Sequence, residues 1–441
     1  MSTIRARVSI AETGSGRTVP GDFVTIPYGA DELRFQVNHD AVLAGVFTPH
    51  PAPPATDPER VIREALANPI DSPRLRAEAG DARSALILVD DITRETPTHL
   101  LVPAILEELR AGGLPDDAVQ VMIALGTHRP MTPDEVCAKL GDEVLSRVEV
   151  TQHDHTVAPL RDLGTTPDGT PVHVNAGLFE RDLVIGTGAV VPHHIAGFSA
   201  GAKIVQPGVS GAATTAATHM FSARAVEPLL GQVVTPVRRE MERIAERSGM
   251  RHVLNVTLNS DGQLVTARFG TTRGAYRRAV ADAQGIYGVP APTGLDIVIA
   301  GSHPCDIEFW QAHKSLYPAA MLVRPGGTII VVTPCPEGVA VMHPEMLDYA
   351  ASPADALITR YEKGEFDDPV AASLATAWAR VREHARVILV SDGVAREDAR
   401  ALAFDRADTV EAALEIAAAD ARANPSVGVL THAPDTLPLT N

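Results

Sequence analysis

Short apolar runs, each ending in a polar or glycine-bearing loop, recur along the chain with helical patterns between them. SALILVDD (84–91), AVQVMIALGTH (118–128), DLVIGTGAVV (182–191), LDIVIAGS (295–302), GTIIVVTP (327–334) and RVILVSD (386–392) read as strands. Their alternation with helices predicts an α/β fold of mainly parallel sheets flanked by helices. TPTHLLVPAILEELRAGG carries apolar residues at helical spacing and stops at Gly112-Gly113. MTPDEVCAKLG starts a second helix, with Pro133 in the first position and Thr132 and Glu135 as a capping box. VLNVTLNSDGQLVTARFG (253–270) predicts a hairpin around Ser260-Asp261-Gly262, and TTRGAYRRAVADAQGIYG (271–288) the helix after it. The proline-rich VPAPTGLD that follows marks a boundary between two domains, 1–289 and 290–441.

Composition narrows the class. The 441 residues are 45% apolar and 21% charged, ample for folded domains of ordinary size. A net charge of −17 without a basic cluster argues against nucleic acid or an anionic membrane surface as partner. Three scattered cysteines suggest neither a disulfide framework nor a thiolate zinc site. MSTIRARVSIAETGSGR lacks a signal-like apolar run, and no stretch is apolar for long enough to span a bilayer, so the chain reads as cytoplasmic.

In open parallel sheets, ligands bind beyond the carboxyl ends of the strands, and four clusters fall there. VDDITRETP sets Asp90, Asp91, Thr93 and Arg94 before a helix start, which suits a phosphate or carboxylate and equally a capped structural loop. ALGTHRPMT delivers His128 from a strand end, placed for acid–base work or for a loop hydrogen bond. VPHHIAGFSAGAKIVQPGVSG (191–211) carries His193, His194 and Lys203. Its GFSAGAK falls short of a phosphate loop: only three residues separate Gly197 from Gly201, Ala202 precedes Lys203, and Ile204 replaces the hydroxyl. GTGAVV has Val191 where a dinucleotide loop needs glycine. Lys203 is left as an anion partner, a nucleophile if desolvated, or an exposed loop lysine. His219, in SGAATTAATHMFSAR, reads by itself as a buried, hydrogen-bonded histidine, and His153 and His155 as a polar strand end. In GSHPCDIEFWQAHKSL, Trp310, Gln311 and Lys314 share a helix surface, so an aromatic wall, an amide and an ammonium can converge on one anion, with His303 and His313 as bystanders.

Taken in order, DxTR at 91–94, GTHRxMT at 126–132, PHxxAGFSxGxK at 192–203, a histidine sixteen residues later and an aromatic-Gln-x-x-Lys helix at 310–314 resemble the nickel-pincer nucleotide-dependent lactate racemase family and its 2-hydroxyacid racemase and epimerase relatives. The resemblance spans nearly the whole chain. It implies an active site in the cleft between two α/β domains. It also implies a nickel-bearing pyridinium mononucleotide held covalently by Lys203, with His219 as nickel ligand and Asp91 and Thr93 in the cofactor loop. In the light of that resemblance the glycines flanking Lys203 read as room for a bulky tethered nucleotide. His128 and His193 then act as acid and base on opposite faces of the substrate, Arg94 and Lys314 bind its carboxylate, and Gln311 and Trp310 lie beside it. Trp310 stands where the family often has tyrosine, and Trp378 reads as a helix core residue.

The reaction so implied is racemisation or epimerisation of a 2-hydroxy acid, lactate-like or larger. A histidine takes the hydroxyl proton while the α-hydrogen leaves as hydride and returns to the other face of a 2-keto acid. The partners implied are the hydroxy acid and the proteins that supply the nickel nucleotide; a homo-oligomer is compatible with the sequence. Two other readings fit parts of the pattern. A divergent nicotinamide-dependent 2-hydroxyacid dehydrogenase lacks its glycine loop here, and a non-catalytic cofactor-binding protein would have no use for two facing bases.

Overall fold

The computed structural model describes residues 23–37, 41–225 and 227–440; the N-terminal segment read above for a leader lies outside them. Two six-stranded sheets organise the fold. The first runs Leu264–Thr271, His252–Leu258, Leu183–Ala189, Ala85–Asp90, Val119–Ala124, Glu149–Gln152, parallel except for the hairpin at its edge. Apolar clusters cover both of its faces, which is why ALILVD is a continuous apolar run instead of an alternating one.

The second sheet is parallel throughout and runs Asp405–Ala407, Arg386–Val390, Val323–Val332, Leu295–Gly301, Ser426–Leu430, Val42–Phe47. Its last strand comes from far upstream of residue 290. The hairpin Phe23–Tyr28 with Asp31–Gln36 also belongs here, laying Val24, Ile26 and Phe35 against Ile297 and Ile299. A cut at 290 therefore does not separate the two sheets. VLAGVF pairs with a strand near the other end of the chain, a non-local contact that no local pattern reports.

Local signals behave as their chemistry requires. Thr132 and Glu135 form the reciprocal capping box at the start of Pro133–Arg147. Thr98–Ala111 ends at Gly112, and Gly113 takes up a left-handed φ of 103°. The hairpin turns at Gly262, φ 71°, and Gly274–Tyr287 follows. Among the described residues no helix is long and apolar enough to cross a membrane.

Contacts at several places join the lobes. Ala212–Ala223 packs on Pro369–His384, Gly288–Pro290 pairs with Leu437–Leu439, and Phe198, Tyr276, Tyr287 and Leu437 share one apolar cluster. The loops that follow Ala85–Asp90, Val119–Ala124 and Leu183–Ala189 meet the Trp310–Lys314 segment of the other lobe around a common cavity.

Candidate active site

Asp91 leaves the strand end and turns inward. Its carboxylate accepts from the Thr93 amide at 3.1 Å and the Thr93 hydroxyl at 2.5 Å, and its second oxygen meets His128 Nδ1 at 2.5 Å. Asp91 is 3% exposed. Burial alone would raise its pKa, but His128, Arg94 and Thr93 outweigh burial and hold the carboxyl well below the usual range. An ionised Asp91 can only accept, so the His128 proton sits on Nδ1 and Nε2 is left basic. Gln311 donates to that Nε2 at 2.9 Å, while its carbonyl oxygen accepts from Arg94 at 3.2 Å and from Lys314. One buried amide thus bonds His128, Arg94 and Lys314 together. Burial, with Arg94 next, lowers the Lys314 pKa to about 8.

His193 differs from His128 in its hydrogen bonding. The Ile195 amide donates to its Nδ1 at 3.2 Å, which puts the ring proton on Nε2. Burial first and then Lys203 keep its pKa well below the ordinary histidine value, so the ring is neutral. His194 stacks against it, with ring centroids 4.9 Å apart, and against Tyr317 at 3.9 Å. Both nitrogens of His194 lack a hydrogen-bond partner among the described residues, and the sequence assigned His194 no task.

Lys203 lies in the short 3-10 turn Gly201–Ile204 on the cavity wall. Burial, then Arg94 and Lys314, push its pKa well below the usual lysine value, the condition that makes an amine nucleophilic. The neighbouring glycines serve a purpose other than the one read from sequence. A Cβ on Gly197 would lie 1.8 Å from the Gln232 carbonyl oxygen, and one on Gly201 would lie 2.8 Å from the Tyr276 ring. They make room for the protein's own chain, not for a ligand. Arg238, from Pro236–Arg247, fixes this loop: it is 1% exposed, stacks on Tyr276 at 4.2 Å and donates to the carbonyls of Ala196, Phe198 and Ala200. An arginine in an amphipathic helix gives no sequence sign of that duty.

His219 sits one turn before the end of Ala212–Ala223 on the cavity wall and donates from Nδ1 to the Thr215 carbonyl at 2.8 Å, leaving Nε2 without a partner among the described residues. Burial lowers its pKa to about 3, with Lys203 adding to the effect, so the ring is neutral and able to ligate. Among the described residues no group of three or more His, Cys, Asp or Glu could hold a metal ion. His219 alone cannot retain one, and further donors would have to come with a bound group.

All ten residues singled out in the sequence gather here. Asp91, Arg94, His128, His193, Lys203, His219, Trp310, Gln311 and Lys314 line the cavity, and Thr93 bonds Asp91 and Arg94 just behind it. His313, read as a bystander, also lines it and packs edge-on to His194. His343 was missed: it stacks under Trp310 at 4.1 Å, bonds Asp368 at 2.5 Å and meets the Thr127 carbonyl next to His128 at 3.2 Å. Trp378 is fully buried in the core, as its helix position suggested. His153 bonds the Ser210 carbonyl at 3.1 Å and Asn175 at 3.0 Å, a structural role.

Comparison with known proteins gives this cavity a lineage. Residues 28–228 match the lactate racemase N-terminal domain and residues 291–435 the lactate racemase C-terminal domain. The chain is 29% identical over 322 residues to the lactate racemase of Thermoanaerobacterium thermosaccharolyticum, covering 71% of this chain and 75% of that one. Against the lactate racemase of Lactiplantibacillus plantarum it is 29% identical over 285 residues, covering 64% and 67%. The fold superposes on the lactate racemase apoprotein from T. thermosaccharolyticum with a TM-score of 0.84 at 24% identity, over 95% of this chain and 100% of that one. A crystal structure of a Thermotoga maritima protein aligns with a TM-score of 0.69 at 22% identity, over 89% and 100%. With both domain matches in order and the fold shared from end to end, the chain belongs to the lactate racemase family of isomerases.

Proposed function

We propose that this chain interconverts the two C2 configurations of a 2-hydroxy acid, with a nickel-pincer nucleotide held at Lys203 and His219. The observation that carries the reading is the pair of histidines in one cavity with opposite proton positions, His128 open at Nε2 and His193 protonated there, lining it together with Arg94 and Lys314. The catalytic and cofactor residues come from the 1–289 portion, and Trp310, Gln311 and Lys314 from 290–441.

The residues suit such a nucleotide. Lys203 offers an amine whose pKa burial lowers, a nucleophile that would condense with a thiocarboxylate arm to a thioamide with loss of water. His219 offers one unpartnered imidazole nitrogen, its ring held by Thr215, as a single protein ligand completing a set that the nucleotide otherwise provides. When bound, the nucleotide supplies the hydride acceptor and donor for C2. The protein's part is placement and proton handling. Arg94 and Lys314 hold the substrate carboxylate, and entry of the hydroxyl displaces the Gln311 amide from His128 Nε2, which then takes the hydroxyl proton. On the other face His193 Nε2–H donates a hydrogen bond to the oxygen, the proton held on His128 returns to that oxygen as the C2 hydrogen comes back, and the buried setting keeps water from intervening.

The supply of cofactor by biosynthetic proteins and a cytoplasmic location, where the three free cysteines stay reduced, complete the proposal. Intact-mass and nickel analysis of the holoprotein, with chiral chromatography of product, tests it. An adduct on Lys203, one nickel and racemisation are expected. A loaded preparation with no adduct and no nickel overturns it.

A further inference from the structure

Beside the reacting centre lies a second, smaller cavity that shares Arg94, His193 and Lys314 with it and is lined as well by Glu95 and Asp435. Asp435 ends the short turn Ala433–Asp435, after the strand Ser426–Leu430, and is 9% exposed. Its carboxyl group has no hydrogen-bond or ion-pair partner among the described residues. Arg94, Lys314 and His193 are taken by the reacting centre in the proposed reaction, the Tyr287 hydroxyl donates to the Leu258 carbonyl at 2.8 Å, and Cys305 lies 3.6 Å from Lys314. The two carboxyl groups are the ones left to meet a ligand.

We infer that this cavity receives the C3 substituent of the substrate and selects 2-hydroxy acids that carry a further neutral hydroxyl there. The inference rests on the racemase reading and narrows it to a substrate class. Four charged side chains decide the matter. A second carboxylate would face Glu95 and Asp435, and an ammonium would face Arg94 and Lys314. An alkyl group would bury Asp435 without a partner. A hydroxyl donates to a carboxylate and accepts from a carboxylic acid, so it suits both states of Asp435. Burial, with Glu95 next, raises the Asp435 pKa to about 7, which keeps both states populated near neutrality. Sites built to bond a substrate hydroxyl discriminate strongly against the analogue that lacks it, because the buried partner is left unpaired.

Glycerate, lactate and malate differ only at C3, and their interconversion by the holoenzyme, followed by chiral chromatography, tests the inference. Glycerate should exceed lactate in kcat/KM by about tenfold or more, with malate slowest. Asp435→Leu should bring the glycerate-to-lactate ratio down to about one, while Asp435→Asn, nearly isosteric and still able to donate and accept, should keep the preference. Lactate or malate as the better substrate, or an unchanged ratio in Asp435→Leu, overturns the inference and leaves the racemase reading standing. Turnover of none of the three overturns both.

Discussion

Replacing Asp91 with asparagine removes one negative charge from the cavity wall and changes almost nothing in shape. In the wild type the carboxylate takes three hydrogen bonds, two from Thr93 and one from His128, in a position 3% exposed to solvent. An asparagine oxygen can keep the Thr93 contacts, but its amide then points an N–H at His128 Nδ1. The ring proton moves to Nε2, and the basic atom that should meet the substrate hydroxyl becomes a donor. A hydrogen bond to a buried charged group is worth about 1.5–3 kcal/mol, which corresponds to a loss of about 10- to 150-fold in rate. The loss should fall on kcat, with KM and the amount of bound nickel nearly unchanged, because among the described residues the Asp91 carboxylate bonds Thr93 and His128 and neither the Arg94 guanidinium nor Lys203. The assay is steady-state racemisation by matched holoenzymes of equal nickel content. A rate within about twofold of wild type would refute the positioning role. A loss that tracks nickel content would instead return Asp91 to the cofactor loop that the DxTR resemblance implied.

Arg238→Met should leave three loop carbonyls without their donor; at about 1–3 kcal/mol for a buried orphan, urea unfolding should show a loss of about 3 kcal/mol or more, and a loss under about 1 would contradict the bracing role. Lys203→Ala should abolish the covalent adduct on intact-mass analysis while leaving the melting temperature within a few degrees of wild-type apoprotein, as expected for a side chain without a structural hydrogen bond. Asp435 has a folded-state pKa, about 7, above the unfolded value near 3.9, so its favourable contribution is complete below about pH 4 and is lost as pH rises through 7. Asp435→Asn should therefore gain stability over wild type from pH 4 to pH 8, by on the order of 2–4 kcal/mol, and a difference that does not vary with pH would contradict the buried-acid account.

Much of this was legible in the chain because the relevant physics is local. Parallel strands covered on both faces write themselves as unbroken apolar runs, and Thr132, Pro133 and Glu135 encode a helix start within four residues. The ten site residues were found because they occur in short ordered motifs at strand ends and on one helix, and the fold brings these together. What escaped depends on contacts between distant segments. Val42–Phe47 has the look of any short apolar run until Ser426–Leu430 lies beside it. Arg238 and Asp435 are single charged residues in ordinary polar contexts, and their burial is visible only when the loop at 196–200 and the second cavity close around them. The glycines at 197 and 201 gave a correct signal of crowding and a wrong guess at its source, because sequence does not say whether the close neighbour is a ligand or the chain itself.

In the proposed reaction hydrogen leaves C2 as hydride and returns to the same carbon, while the histidines move only the hydroxyl proton. A 2-hydroxy acid deuterated at C2, turned over by holoenzyme in ordinary water and analysed by mass spectrometry after chiral separation, tests it most directly. The product of inverted configuration should keep its deuterium; replacement of that deuterium by solvent hydrogen during the first turnovers would contradict the account.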